Sequence, residues 1–268
     1  MIATIFIGYD AREHEAANVA AFSLRRRATC NVRIYALEHR QLRTLGLFTR
    51  PWKIDVNGQY MDERDGKPFS TEFSHSRFLV FHLAQMLKTQ GPCLFVDCDW
   101  LFQADIEPMM LEASKSLEPI GVVNRTRKVA EGSLKMDGMV QQNYDRKLWS
   151  AMFAFMPSEA LAREFTPEVV NTATGRELHG FLGKPDSEFW PIDPAWHYIP
   201  SLDQRPDKLK GVHFSEFSPW LNPDRAHQSP ATFWAWEDER YAMVQQIAKQ
   251  KNLRLFDNLL QDLMYAEA

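Results

Sequence analysis

Residues 93–99 have the sequence CLFVDCD, in which four apolar residues precede two aspartates that flank a cysteine. An apolar run without polar alternation is typical of a strand that is covered on both faces of a sheet. We therefore predict a buried central strand over residues 93–96. Asp97 and Asp99 would stand at its carboxyl end, where the chain leaves the sheet and two side chains can converge on one point.

A βαβ unit is predicted upstream of this strand. Residues 3–8 form an apolar, β-branched run that ends at Gly8, residues 12–27 carry apolar side chains at helical spacing, and residues 32–37 form a second strand-like run. This order favours an α/β fold with a parallel sheet and crossover helices, in which ligands bind at the strand ends.

The rest of the chain predicts further elements of the same class. We expect an amphipathic helix over residues 74–88, strands over 120–123 and 152–155, a short strand ahead of His213 and a late helix over about 230–250. Two polar segments, 49–68 and 124–147, are predicted to be loops. We find no internal repeat and no low-complexity segment.

Composition narrows the class of protein. With 268 residues, 45% of them hydrophobic and 25% charged, the chain can bury a large core and is expected to be globular. No run of 18 or more apolar residues appears, and the N-terminus lacks a basic region and reaches Asp10 too early for a signal peptide. We therefore predict no transmembrane segment and a cytoplasmic location. Three cysteines are too few for a disulfide framework or a zinc cluster, which indicates reduced thiols.

The distribution of charge says less than the composition about the class of protein. The formal net charge of −4 provides no global attraction for nucleic acid. The first fifth of the chain is nevertheless locally basic, through Arg25, Arg26, Arg27, Arg33, Arg40, Arg43 and Arg50. This region could suit an anionic acceptor or peripheral contact with a membrane surface, and a solvated helix face is the alternative.

Asp97 and Asp99 are candidate ligands for a divalent cation. Their hard oxygen atoms suit Mg²⁺ or Mn²⁺, which can bridge the oxygens of a diphosphate. The alternative is that the pair caps a helix or binds loop amides. His213 is a candidate third ligand, because a neutral imidazole can ligate Mn²⁺ beside two carboxylates, although a lone histidine is more often a surface or core residue.

Three groups of residues give the chain a resemblance to a known family. They are Phe6-Ile7-Gly8-Tyr9-Asp10, then Ser76-Arg77-Phe78 ahead of Phe95-Val96-Asp97-Cys98-Asp99, and His213-Phe214 followed by Pro219-Trp220. In order and spacing the chain resembles the glycogenin-like retaining glycosyltransferases, that is glycosyltransferase family 8 and its bacterial relatives. The resemblance implies a GT-A fold, an α/β fold with a mostly parallel central sheet. It also implies a single domain over 1–268, with a nucleotide-sugar half (1–110) and an acceptor half (111–268).

The resemblance implies roles for these residues. Those expected to bind the nucleotide-sugar donor are Gly8, Tyr9, Asp10, Arg77 and Trp220, and those expected to hold Mn²⁺ or Mg²⁺ are Asp97, Asp99 and His213. Arg77 would contact the diphosphate or support the Asp-x-Asp loop. The structural alternatives are packing at the strand end for Tyr9, a helix cap for Asp10 and a surface ion pair for Arg77.

The chain departs from the family pattern at two places. The lysine that usually precedes the Pro-Trp pair is replaced by Ser218, so Lys147 and Arg146 become candidates to approach the sugar or the diphosphate. The family's Asp-Gln pair has Asp186-Ser187 as its nearest counterpart. Asp186 would hold sugar hydroxyls, or else cap a helix after Pro185. Lys147 also fits a solvated loop.

His179 is a further candidate contact for the sugar or the acceptor, with a surface histidine as the alternative. With Asp97, Asp99, Arg77, Asp186 and Lys147 it completes the predicted catalytic set.

The activity implied by the resemblance is metal-dependent hexosyl transfer from a nucleoside-diphosphate sugar to an acceptor hydroxyl, with retention at the anomeric carbon. UDP-linked sugars are the expected donors. A bacterial surface glycan is one candidate acceptor. Three alternatives stay open: a transferase that acts on modified DNA bases, a metal-dependent nucleotidyltransferase, and an inactive binding protein on the same fold. The net acidity argues against the transferase that acts on DNA. A nucleotidyltransferase commonly has a glycine-rich phosphate loop after its first strand, and residues 8–14 contain one glycine, Gly8.

Overall fold

Strands and helices alternate along the chain in the computed structural model, which describes residues 1–125, 134–135, 139–140, 146, 148–221, 223–250 and 252–267. Within these residues the strands are β1 (Ile2–Tyr9), β2 (Asn31–Glu38), β3 (Trp52–Ile54), β4 (Tyr60–Asp62), β5 (Pro68–Phe69), β6 (Cys93–Val96), β7 (Trp100–Phe102), β8 (Ile120–Val122), β9 (Leu134–Lys135), β10 (Met139–Val140), β11 (Met152–Phe155), β12 (Phe189–Pro191) and β13 (Gly211–His213). The α-helices are α1 (His14–Arg27), α2 (His39–Thr44), α3 (Val80–Met86), α4 (Glu107–Ala113), α5 (Glu159–Glu164), α6 (Pro167–Thr172), α7 (Gly175–His179), α8 (Pro230–Lys249) and α9 (Leu259–Glu267).

A six-stranded sheet in the order β12-β8-β11-β6-β1-β2 forms the centre of the fold. All its strands run in one direction except β11, which pairs antiparallel with both of its neighbours. The first two strands pair in parallel along their whole length, from Ile2 opposite Asn31 to Tyr9 opposite Glu38, with α1 as the crossover. The predicted βαβ unit and the predicted α/β class with a mostly parallel sheet are therefore confirmed.

β6 lies inside this sheet, and all four of its residues are buried. Phe95 stacks on Phe153 of β11 with 5.1 Å between ring centroids. Burying one such side chain stabilises a fold by about 1.5–3 kcal/mol, so the run of apolar residues anchors the strand firmly. The chain leaves β6 at Asp97, whose amide donates to the carbonyl of Ala151 at 2.9 Å. The predicted central strand is confirmed, and the aspartates follow its carboxyl end.

A second, two-stranded ribbon lies beyond this point. β7 pairs antiparallel with β13, and His213 stands opposite Trp100 in the register. The amide of Phe214 donates to the carbonyl of Asp99 at 2.9 Å, which continues the pairing into the loop that carries the aspartates. The ribbon therefore brings His213, far along the chain, next to Asp99.

The predicted loop over residues 49–68 is wrong in part. It contains a small antiparallel sheet, β3-β4-β5, which is pinned by the buried ion pair between Arg50 and Asp62. The sequence signals that predicted a loop belong to the turns of this sheet, because Gly58 and Gly66 adopt the positive φ values 81° and 69° that favour glycine. The strands are two or three residues long, too short for periodicity to reveal them.

The helix predicted over 74–88 is shorter than expected. Residues Ser76–Leu79 form a 3-10 turn, and α3 begins only at Val80. The side chains of the 3-10 turn are all buried, so this segment is part of the core and has no solvent face.

The early arginines of α1 are largely used within the chain. Arg25 pairs with Asp257 at 2.7 Å, and Arg27 pairs with the buried carboxylate of Glu239 in α8 at 2.7 Å. These ion pairs connect α1 to the C-terminal segment. Arg25 and Arg27 therefore belong neither to a freely solvated helix face nor to a surface whose positive charges are all available to an anionic acceptor or a membrane. Among the described residues, no helix combines the length and the apolar character needed to cross a bilayer.

Candidate metal and donor site

Asp97, Asp99 and His213 converge at the carboxyl end of β6. One ligand atom from each lies within 4.8 Å of the others, and all three side chains are buried. His213 Nε2 is 3.3 Å from Asp99 Oδ1. The end of a central strand supplies the two carboxylates and the β7–β13 register supplies the imidazole, so two separate structural features bring three side chains to one point.

The cluster fits a divalent cation by its chemistry. Two carboxylates and an imidazole are a donor set that Mn²⁺ accepts, and Mg²⁺ uses carboxylates in the same way. Two carboxylates are costly to bury close together unless positive charge lies beside them. His213 Nε2 is buried and makes no hydrogen bond to any described residue, although a buried nitrogen is normally satisfied. A cation ligated by these three groups would answer both requirements.

Arg77 lies directly behind Asp97. Its Nη1 donates to Asp97 Oδ1 and to the carbonyl of Ser150, each at 2.8 Å, and the guanidinium is buried between the rings of Phe73 and Phe95. The exposed ion pair that was the alternative for Arg77 is therefore excluded. The guanidinium fixes one oxygen of Asp97 and balances part of its charge.

A second histidine stands behind His213. His197 Nε2 lies 2.8 Å from His213 Nδ1, and the Trp100 ring stacks on His213 with 4.6 Å between centroids. His197 is completely buried. Burial lowers the pKa of His197 well below its ordinary value, and the positive charge of Arg125 lowers it further, so His197 is neutral at pH 7.

Cys98, between the two aspartates, points away into the core. Its thiol donates to Glu13 Oε2 at 3.1 Å, which ties the Asp-x-Asp loop to the turn before α1. Burial raises the pKa of this thiol well above its usual range, and the carboxylate of Glu13 raises it further. Cys98 is thus a protonated thiol that supports the loop by donating to Glu13.

The residues predicted to receive the base follow the carboxyl end of β1. Gly8 packs against Phe73 so closely that an added Cβ would lie 2.4 Å from the ring. The Tyr9 hydroxyl pairs with His14 Nδ1 at 2.8 Å. Asp10 is buried, caps the following turn and accepts from Arg12 and from the amide of Glu72. These contacts show how the turn is built, and binding of a base by Gly8, Tyr9 and Asp10 stays a prediction.

His179 and Trp220 are two further predicted residues, and both lie in the C-terminal half. His179 is buried, and its Nδ1 is 2.5 Å from Ser150 Oγ, so the surface alternative for His179 is wrong. Because the Ser150 carbonyl accepts from Arg77, His179 is connected to Asp97 through two intervening residues. Trp220 packs on Trp236 at 5.5 Å and on Phe214 at 6.1 Å between centroids.

Asp186 does not join the buried cluster. It is 75% exposed and forms an ion pair with Arg146, which also donates to the carbonyl of Lys184. Pro185, and not Asp186, is the N-cap of the short 3-10 turn that follows, so the capping alternative is wrong. Lys147 lies outside the described residues, as does most of the loop 124–147.

Sequence reasoning missed three residues that contact the site: His197, Glu13 and Ser150. His197 follows a 3-10 turn in a stretch with no metal-ligand spacing, and Glu13 occupies an ordinary helix-start position. Each acquires its role only by touching a residue that is remote in sequence, so no local pattern marks it.

Comparison with known proteins identifies a relative by sequence similarity and shows the fold by structural similarity. No model of a known protein family matches the chain. The chain is 34% identical over 242 residues to Protein CDI of Arabidopsis thaliana, an alignment that covers 88% of this chain and 86% of that protein.

Among solved structures, the chain superposes on the bifunctional glycosyltransferase WbbM with a TM-score of 0.54 and 14% identity. That superposition covers 90% of this chain but 51% of WbbM, so the chain spans about half the length of WbbM. On the galactosyltransferase LgtC in complex with donor and acceptor sugar analogs, the TM-score is 0.51 with 11% identity, covering 90% of this chain and 95% of LgtC. These similarities confirm the predicted GT-A fold.

Proposed function

The chain belongs to the same protein family as Protein CDI, and because it also has the GT-A fold and a buried Asp97–Asp99–His213 cluster, we propose that it is a metal-dependent glycosyltransferase. The reaction moves a sugar from a nucleoside-diphosphate sugar, with UDP as the first candidate nucleotide, to an acceptor hydroxyl. The observation that carries this proposal is the convergence of the three ligand-type residues at the carboxyl end of β6, the edge at which α/β sheets bind ligands.

Each residue of the cluster has its own role in the proposed reaction. Asp97, Asp99 and His213 hold Mn²⁺ or Mg²⁺, which when bound supplies positive charge beside the diphosphate and so stabilises it as a leaving group. Arg77 donates to Asp97 Oδ1 and so holds this carboxylate in one orientation. Burial of the cluster limits access of water, which strengthens the electrostatic interactions made there.

The finer parts of the proposal rest on the resemblance to glycosyltransferase family 8. They are retention at the anomeric carbon, contact of the donor with Gly8, Tyr9, Asp10, Arg77 and Trp220, and contact of the sugar or acceptor with His179, Asp186 and Lys147. The division into a donor half (1–110) and an acceptor half (111–268) of one domain belongs to the same set of predictions, and a cytoplasmic location is a separate one. A glycan hydroxyl is the acceptor class we propose.

Donor binding is tested by thermal unfolding of the wild type with Mn²⁺ and each of several nucleoside diphosphates. A ligand at a hundred times its Kd stabilises a protein by about 2.7 kcal/mol. For a protein of 268 residues this corresponds to a rise in Tm of about 5 °C. We expect this rise with UDP and Mn²⁺ together, and its loss in Asp99→Asn.

A matched control removes a carboxylate elsewhere. Asp55→Asn changes a turn residue between β3 and β4 whose carboxylate accepts from the amides of Asn57 and Gln59, and it should keep the full ligand response. If no nucleoside diphosphate raises the Tm of the wild type, or if Asp99→Asn responds as well as Asp55→Asn, the proposed site is wrong.

Turnover is tested by incubating the protein with a panel of nucleotide sugars and Mn²⁺ and measuring free sugar and nucleoside diphosphate. Hydrolysis of one donor identifies the nucleotide and the sugar, and the anomeric configuration of a transferred product tests retention. Release of pyrophosphate would instead identify a nucleotidyltransferase. Ligand binding without turnover on any donor or acceptor would favour an inactive binding protein, and steeply salt-dependent binding of DNA would favour a nucleic-acid acceptor.

A further inference from the structure

His197 and His213 form a buried pair behind the proposed metal site. The two ring nitrogens that face each other, His197 Nε2 and His213 Nδ1, are 2.8 Å apart, which is a hydrogen-bond distance. The Trp100 ring lies against both imidazoles, with centroid distances of 4.9 Å to His197 and 4.6 Å to His213. The orientation of each ring is therefore fixed by packing as well as by the hydrogen bond.

A hydrogen bond between two imidazoles has only two arrangements, because one nitrogen must donate and the other must accept. If His197 Nε2 donates, neutral His213 carries its own proton on Nε2, and that nitrogen has no lone pair for a cation. If His213 Nδ1 donates, Nε2 of His213 is bare and faces Asp99 Oδ1 at 3.3 Å. Only the second arrangement lets His213 ligate a metal.

We propose that His197 is a positioning residue, which accepts the Nδ1 proton of His213 and thereby presents the Nε2 lone pair of His213 to a divalent cation. This inference rests on the proposed function, since it takes Asp97, Asp99 and His213 as the metal ligands. It adds a residue that does not touch the cation and that sets which nitrogen of the ligand is available.

The backbone holds His197 in place for this task. The carbonyl of His197 accepts from Arg125, and the next amide, that of Tyr198, donates to Gly211 of β13 at 3.2 Å. The amide of His213 in turn donates to the carbonyl of Tyr198 at 2.8 Å. Both histidines thus belong to one hydrogen-bonded ribbon, so their separation is set by the backbone.

The other ring nitrogen of His197, Nδ1, affects the relative free energies of the two hydrogen-bond arrangements. His197 Nδ1 is buried and has no hydrogen-bond partner among the described residues. When His213 donates, the proton of neutral His197 must lie on this nitrogen, where it costs free energy because a buried donor goes unsatisfied. We therefore expect His213 Nδ1 to become the donor when a cation binds to Nε2, with the total charge of the pair unchanged.

The first test measures the affinity for Mn²⁺ alone, by electron paramagnetic resonance of the free ion, in the wild type and in three variants. His197→Phe keeps the ring and its contact with Trp100 but cannot accept a hydrogen bond. We expect it to bind Mn²⁺ about 10–100-fold more weakly, the effect typical of losing the partner of a ligating histidine. His197→Gln places an amide oxygen near the same position and should restore most of the affinity.

Trp196→Phe is the matched control. Trp196 is the buried neighbour of His197 and packs on Phe102, away from the cluster, so this variant should lose stability and keep the affinity for Mn²⁺. Equal Mn²⁺ affinity in the wild type and His197→Phe would overturn the inference, as would equal losses in His197→Phe and His197→Gln. A wild type that binds no Mn²⁺ would instead contradict the proposed function itself.

The second test observes the proton. In protein labelled with ¹⁵N in histidine, adding diamagnetic Zn²⁺ should give a slowly exchanging Nδ1–H on His213, with a scalar coupling across the hydrogen bond to His197 Nε2. A bare Nδ1 on His213 in the Zn²⁺-loaded protein would refute the inference. A change that only loosened the fold would not produce this signature.

Discussion

Replacing Arg77 by methionine removes the positive charge that lies against Asp97. The two groups are 2.8 Å apart, and their side chains are 6% and 7% exposed, so the carboxylate cannot turn to water when its partner is lost. Removing one member of such a buried pair costs about 3–5 kcal/mol, because the other charge is left uncompensated. Methionine fills part of the same volume, so the change tests the charge more than the packing.

The expected change in Tm follows from the size of the protein. For 268 residues the entropy of unfolding is about 560 cal/mol/K, so a loss of 3–5 kcal/mol lowers the Tm by about 5–9 °C. The assay is thermal unfolding without added metal. Arg163→Met is the control, because Arg163 pairs with Glu159 at the surface with both side chains about three-quarters exposed. Such pairs contribute less than about 0.5 kcal/mol.

A double variant separates charge from packing. Arg77→Met combined with Asp97→Asn removes both charges, and we expect the pair to cost less than the sum of the two single changes. If Arg77→Met lowers the Tm no more than Arg163→Met does, or if the double variant is additive, then Arg77 does not stabilise the fold through Asp97.

Three further predictions concern the surroundings of the site. Gly8→Ala should lower the free energy of unfolding by about 1–3 kcal/mol, since the new Cβ meets the Phe73 ring at 2.4 Å, and Phe73→Leu should recover part of the loss in a chemical denaturation series. Burial, followed by the charge of Arg50, holds the pKa of His75 well below its ordinary value despite the opposing charge of Asp62. Below about pH 6.5 the unfolded chain therefore binds a proton on His75 that the folded protein does not bind. The contribution of neutral His75 to the free energy of unfolding is complete above that pH and is lost as the pH is lowered. We expect a less steep loss in His75→Gln, and an unchanged pH slope in this variant would contradict the assignment. Alkylation at pH 8 followed by mass spectrometry should modify Cys30 alone in the native protein, because Cys93 and Cys98 are buried, and modification of Cys98 before unfolding would disprove its assigned place in the core.

Features that depend on local patterns could be predicted from the amino-acid sequence. The apolar run at residues 93–96 predicted a covered strand, and the position of Asp97 and Asp99 at its end followed from the chain order. The βαβ unit, the strands over β8 and β11 and the late helix α8 were also predictable, because period and turn residues are read over a few neighbours. His213 could be proposed as a ligand from its residue type and from the family resemblance of the chain, but its approach to Asp99 could not be derived.

Contacts between residues that are remote in sequence follow from the folded arrangement of the strands and could not be predicted. The antiparallel register of β7 and β13 places His213 beside Asp99, and a shift by one residue would turn its side chain to the opposite face. His197 behind His213, and Glu13 beneath Cys98, carry no local signal, because each role is a contact between segments that the sequence separates widely. The two carboxylates of the site are therefore close together in sequence, whereas the residues that orient them come from distant segments. Hydrogen bonds and packing between distant segments exist only once the sheet has formed.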